Sequence, residues 1–145
     1  MNGIYHTRLV GLGYSQVPGI DHKDNFSPVV NEVTFRCVMV LTIQNNWISE
    51  IVDVVTAFLY GNLDEVIFMT IPKGLNQYLE MTFELDDGVV LEKSIYGLVQ
   101  AARQYHRKLI GKMTKDVGFS KCLGDECLLY KKICGRNSNS LHLHQ

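Results

Sequence analysis

The segment Trp47-Ile48-Ser49-Glu50-Ile51-Val52-Asp53-Val54-Val55 sets the tightest condition on how this chain can fold, because it places one carboxylate among branched aliphatic side chains. β-Branched residues favour an extended backbone and pack well on a pleated surface, so a run of this length predicts a short buried strand. An ionised acid left unpaired inside a core costs several kcal/mol. Asp53 must therefore be paired, protonated or exposed at the end of its strand. A metal ligand at a strand tip and a hydrogen-bonded structural acid both satisfy that condition.

The flanking sequence alternates helical and extended signals. Residues 4–16 mix β-prone side chains with two glycines, which suits a bent or bulged strand, and Pro18-Gly19 marks a turn. Across 31–46 the apolar residues Val33, Phe35, Val38, Met39 and Leu41 recur at helical spacing, with Ser27 and Asn31 as possible caps. Gly61-Asn62 reads as a turn, and 66–71 as a strand ended by Pro72. Asp86-Asp87-Gly88, between 83–85 and 89–91, predicts a hairpin whose acids shape the turn. A second long helix is expected over 100–117, with Tyr105, Leu109 and Met113 at intervals of four and Gly118 as its stop. Leu128-Leu129-Tyr130 begins a last strand. Gly135 to Ser140 has the composition of a loop or frayed tail, so order is expected to end near residue 133. Interleaved helices and strands without a regular alternation indicate a mixed α+β or α/β packing, and no repeat is visible.

Composition narrows the functional classes. The 145 residues suit about one domain, and 46% hydrophobic with 20% charged residues is ordinary for a globular chain. A formal net charge of -1 offers no global field for a nucleic-acid backbone, so any such binding has to be local. The longest apolar run, from Cys37 to Leu41, falls far short of the ~20 residues that span a bilayer. The opening Met1-Asn2-Gly3-Ile4-Tyr5-His6 has no basic leader or apolar stretch, which points to an intracellular, reducing compartment, cytoplasmic by default. Cys37, Cys122, Cys127 and Cys134 are then expected as free thiols. With His142 and His144 they include metal-capable ligands, but no CxxC knuckle.

Several blocks carry a resemblance. The stretch from Ile51 through Asp53, Thr56, Ala57, Phe58 and Tyr60 to Gly61 resembles the first carboxylate motif of copia-type retrotransposon reverse transcriptases. Further blocks follow that family's order. They are Arg8-Leu9-Val10 through Gly13-Tyr14-Ser15-Gln16, Pro18-Gly19-Ile20-Asp21 and Phe26-Ser27-Pro28-Val29-Val30; Ile67-Phe68-Met69 with Pro72 and Gly74; Lys93-Ser94-Ile95-Tyr96-Gly97-Leu98 with Gln100-Ala101 and Arg103-Gln104; and Asp125 with Cys127-Leu128-Leu129-Tyr130. Ordered blocks with compatible gaps are far more specific than one short motif. The resemblance covers about residues 5–132 and leaves 133–145 as a disordered or non-homologous tail.

The resemblance implies the fingers and part of the palm of a right-hand polymerase, a mixed sheet backed by helices. It also implies RNA-directed DNA synthesis by two-metal nucleotidyl transfer. RNA template, DNA primer and dNTP are the implied partners, together with the remainder of a polyprotein; no membrane is involved. Asp53 is by resemblance the catalytic carboxylate and a ligand for Mg2+ or Mn2+. The backbone amides of Thr56 and Ala57 lie where the family positions the incoming triphosphate, and Phe58 resembles the aromatic under the sugar. Arg8 is matched to phosphate contacts, and Tyr96, Gly97 and Gln100 to the nucleotide and template side. From residue type alone Phe58 is equally a core aromatic, Arg8 a solvated cation, and Tyr96 to Gln100 a helix-entry turn.

The same comparison exposes departures. The family's adjacent Asp-Asp pair follows the block that ends here at Tyr130, and after Glu126 this sequence has no acid at all. Asp86-Asp87 precede the Tyr96 block and read as a turn. Leu12, Val55 and Val99 stand where the family typically has lysine, and Ala102 where it has proline. An isolated chain of this sequence is therefore expected to lack polymerase activity. Two other outcomes fit the residues: a nucleic-acid-binding module using Arg8, Arg103, Arg107 and Lys108, or a translated relic whose incomplete sheet aggregates.

Overall fold

A computed structural model describes residues 7–79, 82–84, 87–132 and 139–143. They form two compact bodies: residues up to Phe26 with Thr56–Tyr105, and Ser27–Val55 with the chain from His106 onward. The molecule is mixed α/β, with helices α1 (Glu32–Gln44), α2 (Leu75–Leu79) and α3 (Ala101–Lys115) among strands β1 (Asn62–Thr70), β2 (Gly88–Lys93), β3 (Ser120–Lys121), β4 (Leu128–Lys132) and β5 (Asn139–Leu143). α3 begins in the first body and continues in the second.

In the first body β1 and β2 pair antiparallel, with Ile67 opposite Leu91, Phe68 opposite Val90 and Met69 opposite Val89. Alternation along β1 turns Ile67 into a core with Leu98 and Ala101, against which Phe58, Leu63, Leu91 and Ile95 pack. The residues on the other face, Val66 and Phe68, are exposed. The chain before this hairpin lies along the segment that follows it: Val10 bridges to Tyr96, and the Gly11 amide donates to the Tyr96 carbonyl at 2.7 Å. That approach requires glycine. Gly97 has φ +86°, and a Cβ there would stand 2.2 Å from the Gly11 carbonyl oxygen; one on Gly13 would stand 2.1 Å from that of Gly97.

In the second body α1 starts where Asn31 accepts the Val33 amide at 2.8 Å, so Asn31 is the cap and Ser27 is not. It stops at Asn45, beyond which Asn46 takes a left-handed conformation (φ 50°) that asparagine tolerates better than most residues. α3 ends with Gly118 at φ +81° and the Phe119 amide reaching back to the Met113 carbonyl at 2.9 Å. This geometry folds Phe119 onto Met113, and with Ile110 and Leu129 they make the core of this body. Lys131 donates to the Val117 carbonyl at 2.6 Å and covers the Phe119 ring. β3, β4 and β5 form an antiparallel sheet in that order.

Several expectations are corrected. Residues 47–54 form no strand: Ile51 is 99% and Val52 81% exposed, and among the described residues no neighbouring strand supplies their ladder. β-Propensity reflects packing on a pleated surface, and without a partner the branched side chains do not fold the segment. The 4–16 segment is represented over its described part by an isolated bridge and a 3-10 turn at Gly13–Ser15 instead of a strand. β2 pairs with β1, not with 82–84, which carry no strand. Asp87 does shape a local turn, its carboxylate accepting the Glu84 amide at 2.7 Å, while Asp86 lies outside the described residues. The strand expected over 66–71 starts earlier, at Asn62. β5 pairs with β4 from Leu128 opposite Leu143 to Lys132 opposite Asn139, so order does not end near residue 133. Cys37 is an exposed thiol, Cys122 a partly exposed one and Cys127 a buried one; Cys134 and His144 lie outside the described residues.

Candidate nucleotide-binding site

The site is built on a left-handed residue. Thr56 sits at φ 56°, ψ 37°, a region costly for a β-branched side chain, and its carbonyl accepts the Leu59 amide at 2.9 Å. This starts the 3-10 turn Ala57–Tyr60, which presents Phe58 half-buried against the first core. The Phe58 ring meets Tyr96 edge-on at 5.3 Å between centroids and Tyr105, from the first turns of α3, at 6.3 Å. Above Tyr96 lies the exposed Arg8 guanidinium, 5.6 Å from the ring centre. Arg8, Phe58, Tyr96 and Gly97, drawn from three separate blocks, thus converge. Tyr105 joins them without having been marked as a site residue; its helical spacing signalled packing only.

An exposed cation over an aromatic ring, with a second ring beside it, can hold a phosphate next to a sugar or base face. Gln100 has a different environment. It is buried, its side-chain amide donates to the Asp21 carbonyl at 3.1 Å, and its oxygen accepts from Gln16 at 3.2 Å. Gln16 in turn accepts the Val99 amide at 2.8 Å. The Gln100 amide therefore ties together the chain that carries Tyr96 and the chain that follows Arg8. Arg103 is committed as well, 2.9 Å from Asp24 and 3.8 Å from Asp64, and Gln104 donates to Asp64 at 3.1 Å. Arg103 thus stands between two acids.

Asp53 is exposed, in the second body. Among the described residues no group of three or more His, Cys, Asp or Glu side chains is placed to hold a metal ion. Two-metal nucleotidyl transfer, which the resemblance implies, needs divalent ions, yet a single carboxylate is not the oxygen donor set that Mg2+ demands. The described residues therefore do not fit a two-metal centre. A carboxylate that sequence reading left without a role is Asp125. Burial pushes its carboxyl up, but hydrogen bonds from the Asn31 and Cys127 amides and the Thr34 hydroxyl outweigh this and hold it below the ordinary value. The two amides lie 3.0 and 2.9 Å from its oxygens. Cys127, two residues on, has its thiol pushed up by burial and by the Asp125 and Glu126 charges.

The blocks that converge on Phe58 and Tyr96 also match at the level of the whole sequence. The family described as reverse transcriptase (RNA-dependent DNA polymerase) matches residues 1–142, and the chain belongs to that family. Its relatives are retrotransposon polyproteins, in line with the copia-type blocks. It is 37% identical over 133 residues to the retrovirus-related Pol polyprotein from transposon TNT 1-94 of Nicotiana tabacum, covering 92% of this chain and 10% of that protein. It is 35% identical over 125 residues to the one from transposon RE2 of Arabidopsis thaliana, covering 86% of this chain and 8% of that protein. To the RE1 polyprotein of the same plant it is 32% identical over 124 residues, again 86% and 8%. The chain thus spans a tenth or less of the length of these relatives. No solved structure matches it. Among the described residues no helix is long and apolar enough to cross a membrane.

Proposed function

We propose that residues 5–132 are fingers and the beginning of the palm of a right-hand polymerase from a copia-type retrotransposon polyprotein. In the intact protein they would serve RNA-directed DNA synthesis on an RNA template with a DNA primer. One observation carries this reading: Arg8, Phe58 and Tyr96, distant in sequence, meet in one body in an order suited to phosphate, sugar and base. Arg8 would hold the triphosphate or a template phosphate as a fixed cation. Phe58 would lie under the deoxyribose, and the Thr56 and Ala57 amides would face the phosphates. Gly97 keeps the Tyr96 chain close against Gly11, and Gln100 braces that junction from behind. Asp53 would be the first metal-binding carboxylate of the complete enzyme. Template-primer, the divalent ion and the second and third acids belong to this proposal and not to the described residues.

Binding of a fluorescent dNTP, followed by anisotropy, tests the site. Arg8→Gln should weaken it about ten- to a hundredfold, as expected for loss of a charge-assisted hydrogen bond, and Phe58→Ala should weaken it too. Affinity unchanged in both variants would remove the site. A polypeptide of these 145 residues should not extend a primer on RNA with Mg2+ or Mn2+. Template-dependent incorporation abolished by Asp53→Asn would overturn that expectation.

A further inference from the structure

Charge is unevenly distributed along this nearly neutral chain. Residues 106–132 carry seven basic side chains against three acidic ones, while the rest carries seven against twelve. One of the three acids, Asp125, is turned to backbone amides in its own body. On α3, residues 107, 108, 111, 112 and 115 fall within an arc of about 140° at 3.6 residues per turn, and the buried Ile110 lies outside that arc. Arg107, Lys108, Lys112 and Lys115 line a groove of about 260 Å³ there, with Asp116 as its one acid. A second groove, of about 320 Å³, carries Lys121 and Glu126 beside Arg107.

Gly111 belongs to both grooves. A mid-helix glycine costs about 1 kcal/mol relative to alanine, and packing does not require this one: a Cβ placed there meets nothing within 4 Å. Like charges one helical turn apart, as at Lys108 and Lys112, also weaken a helix. Two local costs thus coincide at an open floor walled by cations.

We propose that the face around Gly111 is a phosphate-backbone site for a nucleic-acid strand, separate from the Arg8–Tyr96 cluster. Arg107, Lys108, Lys112 and Lys115 would meet successive phosphates, and Gly111 would let the strand approach the helix backbone. The choice of nucleic acid over other polyanions rests on the reverse transcriptase reading; the surface itself rests on the helix.

Anisotropy of a fluorescein-labelled 20-nucleotide RNA, measured across salt concentrations on the whole chain, tests the proposal. Replacing Lys108, Lys112 and Lys115 together by glutamine should flatten the slope of log affinity against log salt by about 2, and lower affinity roughly a hundredfold at 0.1 M salt. The matching triple arginine variant should bind like the parent. Gly111→Leu should raise the thermal midpoint yet weaken RNA binding, which separates loss of the groove from loss of the fold. Arg8→Gln should weaken dNTP binding about ten- to a hundredfold and leave most of the RNA affinity. RNA binding unaffected by the glutamine triple and by Gly111→Leu would overturn the site while leaving the dNTP result standing. Binding to vesicles rich in phosphatidylserine but not to RNA would overturn it in favour of a lipid surface.

Discussion

Thr56 shows how a single residue can be chosen against its own conformational preference. An L-residue in the left-handed region loses roughly 1–2 kcal/mol, and a β-branched one is a pronounced outlier. Such strain persists where the surroundings over-determine the backbone, and it concentrates at functional turns. Here the left-handed step leaves residue 55, opens the turn Ala57–Tyr60 and sets Phe58 against Tyr96. Thr56→Gly should therefore stabilise the first body by up to about 1 kcal/mol, after the larger entropy of an unfolded glycine is subtracted. A thermal melt should show a midpoint a few degrees higher. A lower midpoint would mean that the contacts of the hydroxyl outweigh the backbone cost.

Among the elements, α1 depends on a residue remote in sequence. Asn31 caps it locally, but Asp125 adds a carboxylate that accepts the Asn31 amide and the Thr34 hydroxyl at the positive end of the helix. The same carboxylate accepts the Cys127 amide, in the turn just before β4, so one side chain ties α1 to the sheet of its own body. Its folded pKa lies below the unfolded value, so its stabilisation is present above the ordinary aspartate pKa of about 3.9. It is lost as pH falls through the depressed folded value. Asp125→Asn should cost on the order of 1–2 kcal/mol at pH 7 and less at pH 3. Urea unfolding at both pH values, followed by the helical circular dichroism signal, checks this. An equal loss at both would exclude the charge as the cause.

On the scale of the whole molecule, the apolar surface is not consumed by the two cores. None of the residues of α1 is buried, and Val33, Phe35, Met39, Val40, Leu41 and Ile43 are all at least 40% exposed. A helix apolar around its circumference is characteristic of one buried in a larger assembly, which accords with relatives ten times as long. Val66, Phe68 and Val90 add an exposed apolar strip on the first sheet. The 145-residue chain alone should therefore self-associate in a concentration-dependent way at micromolar levels, as large exposed apolar patches predict. Sedimentation velocity should show this, and a single monomeric species up to 100 µM would refute it.

Periodicity and punctuation determined the local elements. Asn31, Gly118 and the four-residue spacing of Tyr105, Leu109 and Met113 placed both long helices to within two residues, because caps and amphipathic stripes act over single turns. The ordered blocks determined the family, since motif spacing is a property of the chain itself. Tertiary structure decided the rest. Whether the branched run around Asp53 becomes a strand depends on a neighbour supplying hydrogen bonds, and Ile51 and Val52 have none to pack on among the described residues. Which strand pairs with β2, and which acids neutralise Arg103, are likewise settled by partners tens of residues away. The meeting of Arg8 with Tyr96 belongs to that class too: it depends on two backbones close enough that glycine alone fits between them.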